Sequence, residues 1–269
     1  MKHASRNQHV AQWIDEMLLR VAKVQTFTDG RALTNATGFF YLHIDFLYLV
    51  TARHVVINEA CDHRPDRLQL SLHSGGEDRQ ERDAISIPFY VCGVPQWYQH
   101  PRCSADVIAV AINDPHVLSR FYIDTFCGNG ILKREQALRL GQDVLLVGFP
   151  LGFHDRRHNL PIVRSEAVAS SFSHPFNGEP YFLTDARLHR GMSGSPVVAS
   201  LPSRAGVPGP LVSDRDPNQD ERLALNTTWY ASLIPQMLRL PSAPGDAGGL
   251  HDDGGLTNKE LENGISRNI

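Results

Sequence analysis

Ser193 stands between two glycines in the segment RGMSGSP, immediately before an apolar run. Serine and glycine are both unfavourable inside a strand, so the segment indicates a special turn at the mouth of one. Gly191 can adopt dihedrals closed to other residues and turn its N–H towards the serine, while Gly194 leaves room for the chain to reverse. A hydroxyl presented in this way can attack a carbonyl carbon next to N–H groups that stabilise the resulting oxyanion. We therefore predict Ser193 as a nucleophile.

A serine hydroxyl is a weak nucleophile at neutral pH, so it needs a base, normally histidine, and a group that orients that histidine. The chain has 13 histidines, and its context sets His54 apart, since it ends the apolar run FLYLVTARH beside Ala52. Asp106 directly precedes the apolar run VIAVAI. A carboxylate there needs a partner, because burying an unpaired charge is costly. His54 is the predicted base and Asp106 the predicted orienting carboxylate.

Short strands are the elements that must position these side chains. Runs such as ATGFFYLHI, DVLLVGF and PYFLT alternate with turn residues, and little helix stands between them. A βαβ arrangement would need a helix after each strand, so the pattern favours barrels or sandwiches. The predicted fold class is all-β.

Both ends of the chain differ from this pattern. Apolar residues from Val10 to Val21 recur at helical spacing, which predicts an amphipathic helix in residues 1–23. The segment 241–269 is rich in Gly and Asp and is predicted to be a disordered tail. The Pro- and Gly-rich segment 202–221 is predicted to be a long exposed loop.

The order His54, Asp106, Ser193, carried by TARHV, ADVIAV and GMSGSP, resembles the chymotrypsin-like, or trypsin-like, serine peptidases. The similarity extends over roughly residues 24–235. LTDARLHRGMSGSP and GQDVLLVGFPLG are similar to segments of bacterial HtrA-type proteases, and Ser195 matches the GNSGSP of glutamyl endopeptidases.

This resemblance implies a peptidase domain at 24–240, made of two six-stranded antiparallel β-barrels at about 24–115 and 130–235 with the active site between them. It implies that the amides of Gly191 and Ser193 form the oxyanion hole. It also implies that Asn226 and Thr227, which match the Asn–Thr of HtrA proteins, lie on the strand that pairs with the substrate backbone.

The residue preference of the cleft rests on the same resemblance. Arg187 lies six positions before Ser193, where trypsins carry an aspartate, which disfavours cleavage after Lys or Arg. Arg187, His189 and Arg190 together raise the alternative of a basic pocket for an acidic side chain. Such residues are more often solvated loop charges.

Other classes of function find no support in the sequence. A net charge of −3 offers no attraction to nucleic acid or to an anionic membrane. No apolar run has the length of a signal peptide or a membrane span. The four cysteines lack CxxC spacing and are expected to be reduced and buried, which predicts a cytoplasmic protein. The HDRRH segment departs from a zinc helix and there is no phosphate-binding loop, so we predict no metal or cofactor.

The predicted function is that of a serine endopeptidase acting on protein or peptide substrates through an acyl-enzyme. The main alternative is a catalytically silent barrel pair that binds peptides or partners. Two further alternatives are an esterase acting on small acyl substrates and a peptidase that stays inactive until a partner orders its oxyanion loop.

Overall fold

The computed structural model describes residues 16–74, 82–101, 104–133, 138–186, 189–199, 210–214 and 224–239. Strands dominate these segments and their ladders are antiparallel, apart from one short parallel pair, so the predicted all-β class is confirmed. Three α-helices are short: α1 (Arg53–Val56), α2 (Pro115–Arg120) and α3 (Leu233–Arg239). None of the helices in these segments has the length and apolar character needed to cross a membrane.

The strands of the N-terminal half are β1 (Val21–Thr28), β2 (Arg31–His43), β3 (Phe46–Thr51), β4 (Arg67–Ser74), β5 (Arg82–Pro88), β6 (Tyr90–Val91), β7 (Val94–Pro95), β8 (Trp97–Gln99), β9 (Ile108–Ala111), β10 (Phe121–Tyr122) and β11 (Phe126–Cys127). Nine of them form one sheet in the order β10-β4-β1-β2-β3-β9-β8, with β5 paired to β4 and β11 paired to β2. The other two, β6 and β7, form a separate two-stranded ribbon.

This sheet has more strands than the six implied by the resemblance, because short segments pair with edges that the longer strands leave open. The β1–β2 ladder ends at the pair Val21–Phe39. Beyond it, Tyr41 and Leu42 of β2 pair with β11, which comes from the connection to the second half. β10, from the same connection, covers the end of β4.

The C-terminal half is a closed barrel of six strands in the order β12-β13-β14-β17-β16-β15, as predicted. Its strands are β12 (Asp143–Gly148), β13 (Ile162–Val168), β14 (Tyr181–Asp185), β15 (Pro196–Ala199), β16 (Pro210–Asp214) and β17 (Leu225–Trp229).

The prediction of one long loop over 202–221 is wrong, because β16 lies inside that segment. β16 pairs with β15 on one side and with β17 on the other, and so closes the barrel. Without it those two strands would each present an unpaired edge. Its short sequence PLVSD is surrounded by Pro, Gly and Asp, which hides the strand from a reading of local pattern.

The predicted N-terminal helix is too long at its C-terminal end. Residues 16–18 are helical, but β1 begins at Val21, where Val21 and Val24 pair with Phe39 and Ala36. Tertiary pairing with β2 overrides the helical spacing of these β-branched residues. The rest of the predicted helix and the predicted tail 241–269 lie outside the described residues.

β2 connects the cores of the two halves, because it is buried on both faces. Ala36 and Phe40 pack into the core of the first sheet. Phe39 and Tyr41, on the opposite face, belong to the core that also contains the interior of the second barrel. Since interiors of this kind are close-packed, the two halves are held in one fixed relation and the cleft between them is defined.

The expectation of buried cysteines is wrong for the three that are described. Cys61, Cys92 and Cys127 are free and exposed, and Cys103 lies outside the described residues. Each of the three stands in or next to a turn or a very short element, where the chain runs at the surface.

Candidate active site

The pairing of β3 with β9 brings His54 and Asp106 together. Thr51 pairs with Ile108, so continuing the antiparallel register beyond the strand ends sets residue 53 opposite Asp106. The backbone N–H of Arg53 accordingly donates to the carbonyl oxygen of Asp106 at 3.2 Å. His54 and Asp106, which are 52 positions apart in the sequence, thereby become neighbours.

Asp106 also acts as a cap for the single turn of α1. The residue before this helix, Ala52, has no side chain that could bond to the first amides. Instead Oδ1 of Asp106 accepts a hydrogen bond from the backbone N–H of His54 at 2.7 Å. A helix amide without a partner in its own helix is thus satisfied by a side chain that lies just before β9, and the carboxylate is held in a defined orientation.

The three side chains proposed to act together form a continuous chain of hydrogen bonds. Nδ1 of His54 bonds to Oδ2 of Asp106, and Nε2 of His54 lies 3.0 Å from Oγ of Ser193. A neutral imidazole that donates from Nδ1 to the carboxylate has its Nε2 lone pair directed at the serine hydroxyl. This arrangement can remove the proton of Ser193 during attack on a carbonyl carbon.

The turn that carries Ser193 requires its two glycines. Gly191 has φ +94°, and a Cβ there would lie 2.4 Å from the carbonyl oxygen of Phe149. Gly194 has φ +82°, and its Cβ would lie 2.3 Å from the carbonyl oxygen of Thr37. Neither space nor backbone conformation admits a side chain, so the loop can pack directly on its neighbours only with glycine at both positions.

Two amides of this turn are available to an anion. Among the described residues, the N–H groups of Gly191 and Ser193 have no hydrogen-bond acceptor. The intervening amide of Met192 donates to the backbone carbonyl oxygen of His189 at 3.1 Å. The carbonyl oxygen of Arg190 accepts a 2.6 Å hydrogen bond from the N–H of Leu151. Free N–H groups of this kind, next to a hydroxyl, can bind the oxyanion that forms when the hydroxyl attacks.

A cleft of about 1130 Å³ runs past these groups and is lined by residues of both halves. Leu33 and Leu151 lie on its wall together with His54 and Ser193, and both leucines are exposed. Tyr181 and Trp229 line another part, where their rings are in edge-to-face contact. The cleft is large enough for several residues of an extended peptide.

The basic pocket suggested by the sequence is only partly described. His189 and Arg190 line the cleft and are exposed, whereas Arg187 lies outside the described residues. Glu179, also exposed, lines the same cleft. The described side chains of the cleft therefore include basic and acidic groups, and they define no single preference for the charge of a substrate side chain.

Asn226 and Thr227 belong to β17, and their role in pairing with the substrate backbone stays a prediction. Thr227 pairs with Leu183 of β14 and with Asp214 of β16, whereas the described pairing of Asn226 is with Thr184 of β14. Asn226 points into the buried interior, where its amide nitrogen bonds to Thr184 at 3.2 Å. Thr227, the next residue, faces the opposite way and lines the cleft.

The buried carboxyl group of Glu166 lies next to Thr184 in the interior of the second barrel. Thr184 donates to Oε2 of Glu166 at 3.0 Å, and Oε1 of Glu166 is buried without a hydrogen-bond partner among the described residues. Burial raises the pKa of Glu166 from 4.5 to about 7, against the smaller lowering effects of Thr184 and Arg164. Ionised carboxylates are costly in such surroundings, so the folded chain keeps this proton to higher pH than the unfolded chain does.

Glu166→Gln is expected to remove a pH dependence of folding stability. The unfolded carboxyl loses its proton near pH 4.5 and the folded one near pH 7, so the wild-type free energy of unfolding falls as pH rises across that window. The fall is about 3 kcal/mol. Denaturant unfolding at the two ends of the window measures it. Glu179→Gln, at an exposed carboxyl, should keep the wild-type slope; an unchanged slope in Glu166→Gln would contradict the assignment.

Thr37 is a residue of the site that was not predicted from the sequence, and its hydroxyl and backbone contact the Ser193 turn. The available signal was its position: a threonine in the otherwise apolar run ATGFFYL, at the same strand alternation as Phe39 and Tyr41. A buried hydroxyl needs partners, but their identity cannot be read from the local sequence.

A histidine, a carboxylate and a serine meet at the cleft between the two halves. Two packed antiparallel β-units of this kind define a chymotrypsin-type fold. The family model described as the trypsin-like peptidase domain matches residues 36–201, which is more than half of the chain. The chain therefore belongs to the trypsin-like peptidase family.

A comparison with solved structures supports the same fold. A scabies mite inactivated protease paralogue, S-I1, is similar with a TM-score of 0.55 and 16% identity, over 83% of this chain and 94% of that one. At this identity the similarity concerns the fold alone. A comparison with curated proteins returned no match.

Proposed function

We propose that the chain is a serine endopeptidase. The observation that carries the proposal is the alignment of Asp106, His54 and Ser193 beside the two free amides of Gly191 and Ser193. Each group has a chemical task in acyl transfer, and a structural role alone does not require a solvent-accessible cleft at their meeting point.

The reaction follows from the positions of these groups. His54 accepts the hydroxyl proton while Oγ of Ser193 bonds to the carbonyl carbon, and the amides of Gly191 and Ser193 bind the oxyanion. The same proton then passes from Nε2 to the leaving amine as the peptide bond breaks. Water, deprotonated by His54, hydrolyses the acyl-enzyme and regenerates the hydroxyl. Asp106 stabilises the imidazolium in both stages without taking its proton.

The state of the oxyanion loop supports activity without an activating partner. The carbonyl of Arg190 is turned to Leu151, so the next amide, that of Gly191, is not blocked by it. A loop that awaited a partner would need to form this arrangement on binding. The described chain already has it, which favours the simple endopeptidase over the partner-dependent one.

The proposed subfamily, cellular location and substrates rest on sequence similarity and on the exposed cysteines. Ser195 and the TDA segment support a relationship to bacterial glutamyl endopeptidases and HtrA-type proteases. The exposed thiols of Cys61, Cys92 and Cys127 support a reducing, cytoplasmic location, because exposed thiols there stay reduced. Peptides or proteins are the proposed substrates, with no metal or cofactor in the reaction.

The catalytically silent barrel pair is the rival function. A fluorophosphonate probe separates the two, because an activated serine displaces fluoride and bonds to phosphorus. We expect stoichiometric labelling of the native chain, with the label found by peptide mass spectrometry on Ser193. Chain unfolded in denaturant is the control and should stay unlabelled. A folded chain that takes no label, or takes it at another serine, would refute the endopeptidase.

A further inference from the structure

The hydroxyl of Thr37 joins two segments of the second barrel, although Thr37 belongs to β2 of the first sheet. Its Oγ1 donates to the carbonyl oxygen of Gly191 at 2.7 Å and accepts from the N–H of Phe149 at 3.0 Å. One hydroxyl proton and two lone pairs allow both bonds at once. The side chain is fully buried, so water does not compete for either bond.

The position of Thr37 in β2 explains why its side chain contacts the second barrel. Side chains alternate across a strand, so Thr37 lies on the same face as Phe39 and Tyr41, which pack in the core shared with the second barrel. The backbone of Thr37 adds further contacts: its N–H donates to the carbonyl oxygen of Ser193 at 3.0 Å, and its own carbonyl accepts from Thr51 at 2.7 Å. Thr37 thus holds carbonyl groups on both sides of Met192.

The segment after Phe149 holds the remaining peptide group of the turn. Leu151 donates to the carbonyl oxygen of Arg190, and that carbonyl shares a peptide plane with the amide of Gly191. Because a peptide group is planar, fixing its carbonyl also fixes the direction of its N–H. The Thr37 hydroxyl therefore ties the turn to the same segment that orients the first oxyanion-binding amide.

We propose that Thr37 is a positioning residue for the oxyanion-binding amides, acting through its side-chain hydroxyl across the interface between the two halves. This inference rests on the proposed endopeptidase function. Displacements of about 1 Å at such groups cost on the order of a hundredfold in rate. The amides act on the oxyanion of the transition state, so loss of their alignment lowers kcat more than it raises KM.

Thr37→Val tests the proposal, because it removes the hydroxyl and keeps a β-branched side chain of similar shape. The carbonyl of Gly191 and the N–H of Phe149 lose their shared partner in a buried site. We expect kcat for a peptide amide to fall by about 10- to 100-fold with KM nearly unchanged. Thr37→Ser retains the hydroxyl and should restore most of the activity.

Thr26→Val is the matched control. Thr26 is equally buried in the first sheet, and its hydroxyl bonds to Thr34 at 2.7 Å, with no contact to the Ser193 turn. It reports what losing a buried threonine hydroxyl does to folding, measured as a thermal midpoint, and should leave kcat unchanged.

Amide hydrogen exchange of the segment 189–195 gives a readout that does not depend on turnover. We expect faster exchange there in Thr37→Val, and not in Thr26→Val or Thr37→Ser. An unchanged kcat in a folded Thr37→Val, a loss shared by Thr37→Ser, or unchanged exchange of the segment would overturn the role of Thr37. Absence of turnover in the wild-type chain would instead refute the endopeptidase, and the exchange comparison would still decide whether Thr37 orders the turn.

Discussion

Ser193→Ala is expected to lower turnover of a peptide substrate by about 10⁶-fold, the scale of removing the nucleophile from a serine peptidase triad. The alanine has no oxygen to form the acyl-enzyme, and the hydroxyl proton that His54 would accept, from an oxygen 3.0 Å from its Nε2, is absent. Substrate binding uses other groups of the cleft and should persist. Steady-state hydrolysis of a fluorogenic peptide, with an inhibitor titration to count intact cleft sites, measures both quantities.

Ser195→Ala is the matched control, because it makes the same change two residues away. The Ser195 hydroxyl is buried and has no hydrogen-bond partner among the described residues, so its removal leaves no group unsatisfied. We expect activity close to that of the wild-type chain. Equal activity of Ser193→Ala and wild type would exclude Ser193 as the nucleophile, and equal losses in both variants would point to disruption of the turn.

Asp106→Asn is expected to reduce kcat by about 10⁴-fold while leaving the fold intact. An asparagine amide facing Nδ1 of His54 donates a hydrogen bond, so the imidazole proton moves to Nε2. A ring protonated on Nε2 has no lone pair for the Ser193 hydroxyl, which is 3.0 Å away. The base is then in the wrong tautomer, although each heavy atom of the site can stay in place.

The control for that variant is a carboxylate of similar burial outside the cleft. Asp124 accepts a hydrogen bond from Nε of the buried Arg20 at 2.8 Å, and Asp124→Asn weakens this ion pair. We expect Asp124→Asn to lower the free energy of unfolding, because it leaves a buried guanidinium less well compensated, but to keep the wild-type kcat. Should Asp106→Asn lose no more activity than Asp124→Asn, the orienting role of Asp106 would have to be abandoned.

Local sequence was informative where one residue type has one physical purpose. The glycines around Ser193 indicated positive φ and close backbone approach, and the structure has both at Gly191 and Gly194. Strand periodicity indicated the all-β class, since alternation and turn residues depend on neighbours in sequence. The polar residues His54 and Asp106, each at the end of an apolar run, were recognisable because burial of such groups needs a reason.

Local sequence failed where a position is decided by a partner far along the chain. β16 is a strand only because β15 and β17 leave edges for it. Helical spacing near Val21 gave way to pairing with Phe39. In each of these cases the energy comes from hydrogen bonds and burial that do not exist until the barrels form.

Residue types and their order along the chain establish which chemical groups are available: a histidine, a carboxylate, and a serine set between glycines. Their meeting depends on the folded chain, through the β3–β9 register that sets Asp106 beside His54 and through the packing of β2 on the second barrel. The contacts of Thr37 also depend on the tertiary structure, because the two groups that its hydroxyl bonds to lie 112 and 154 positions away in the sequence. Residue type is a local property, whereas convergence depends on non-local pairing and close packing, which no local pattern contains.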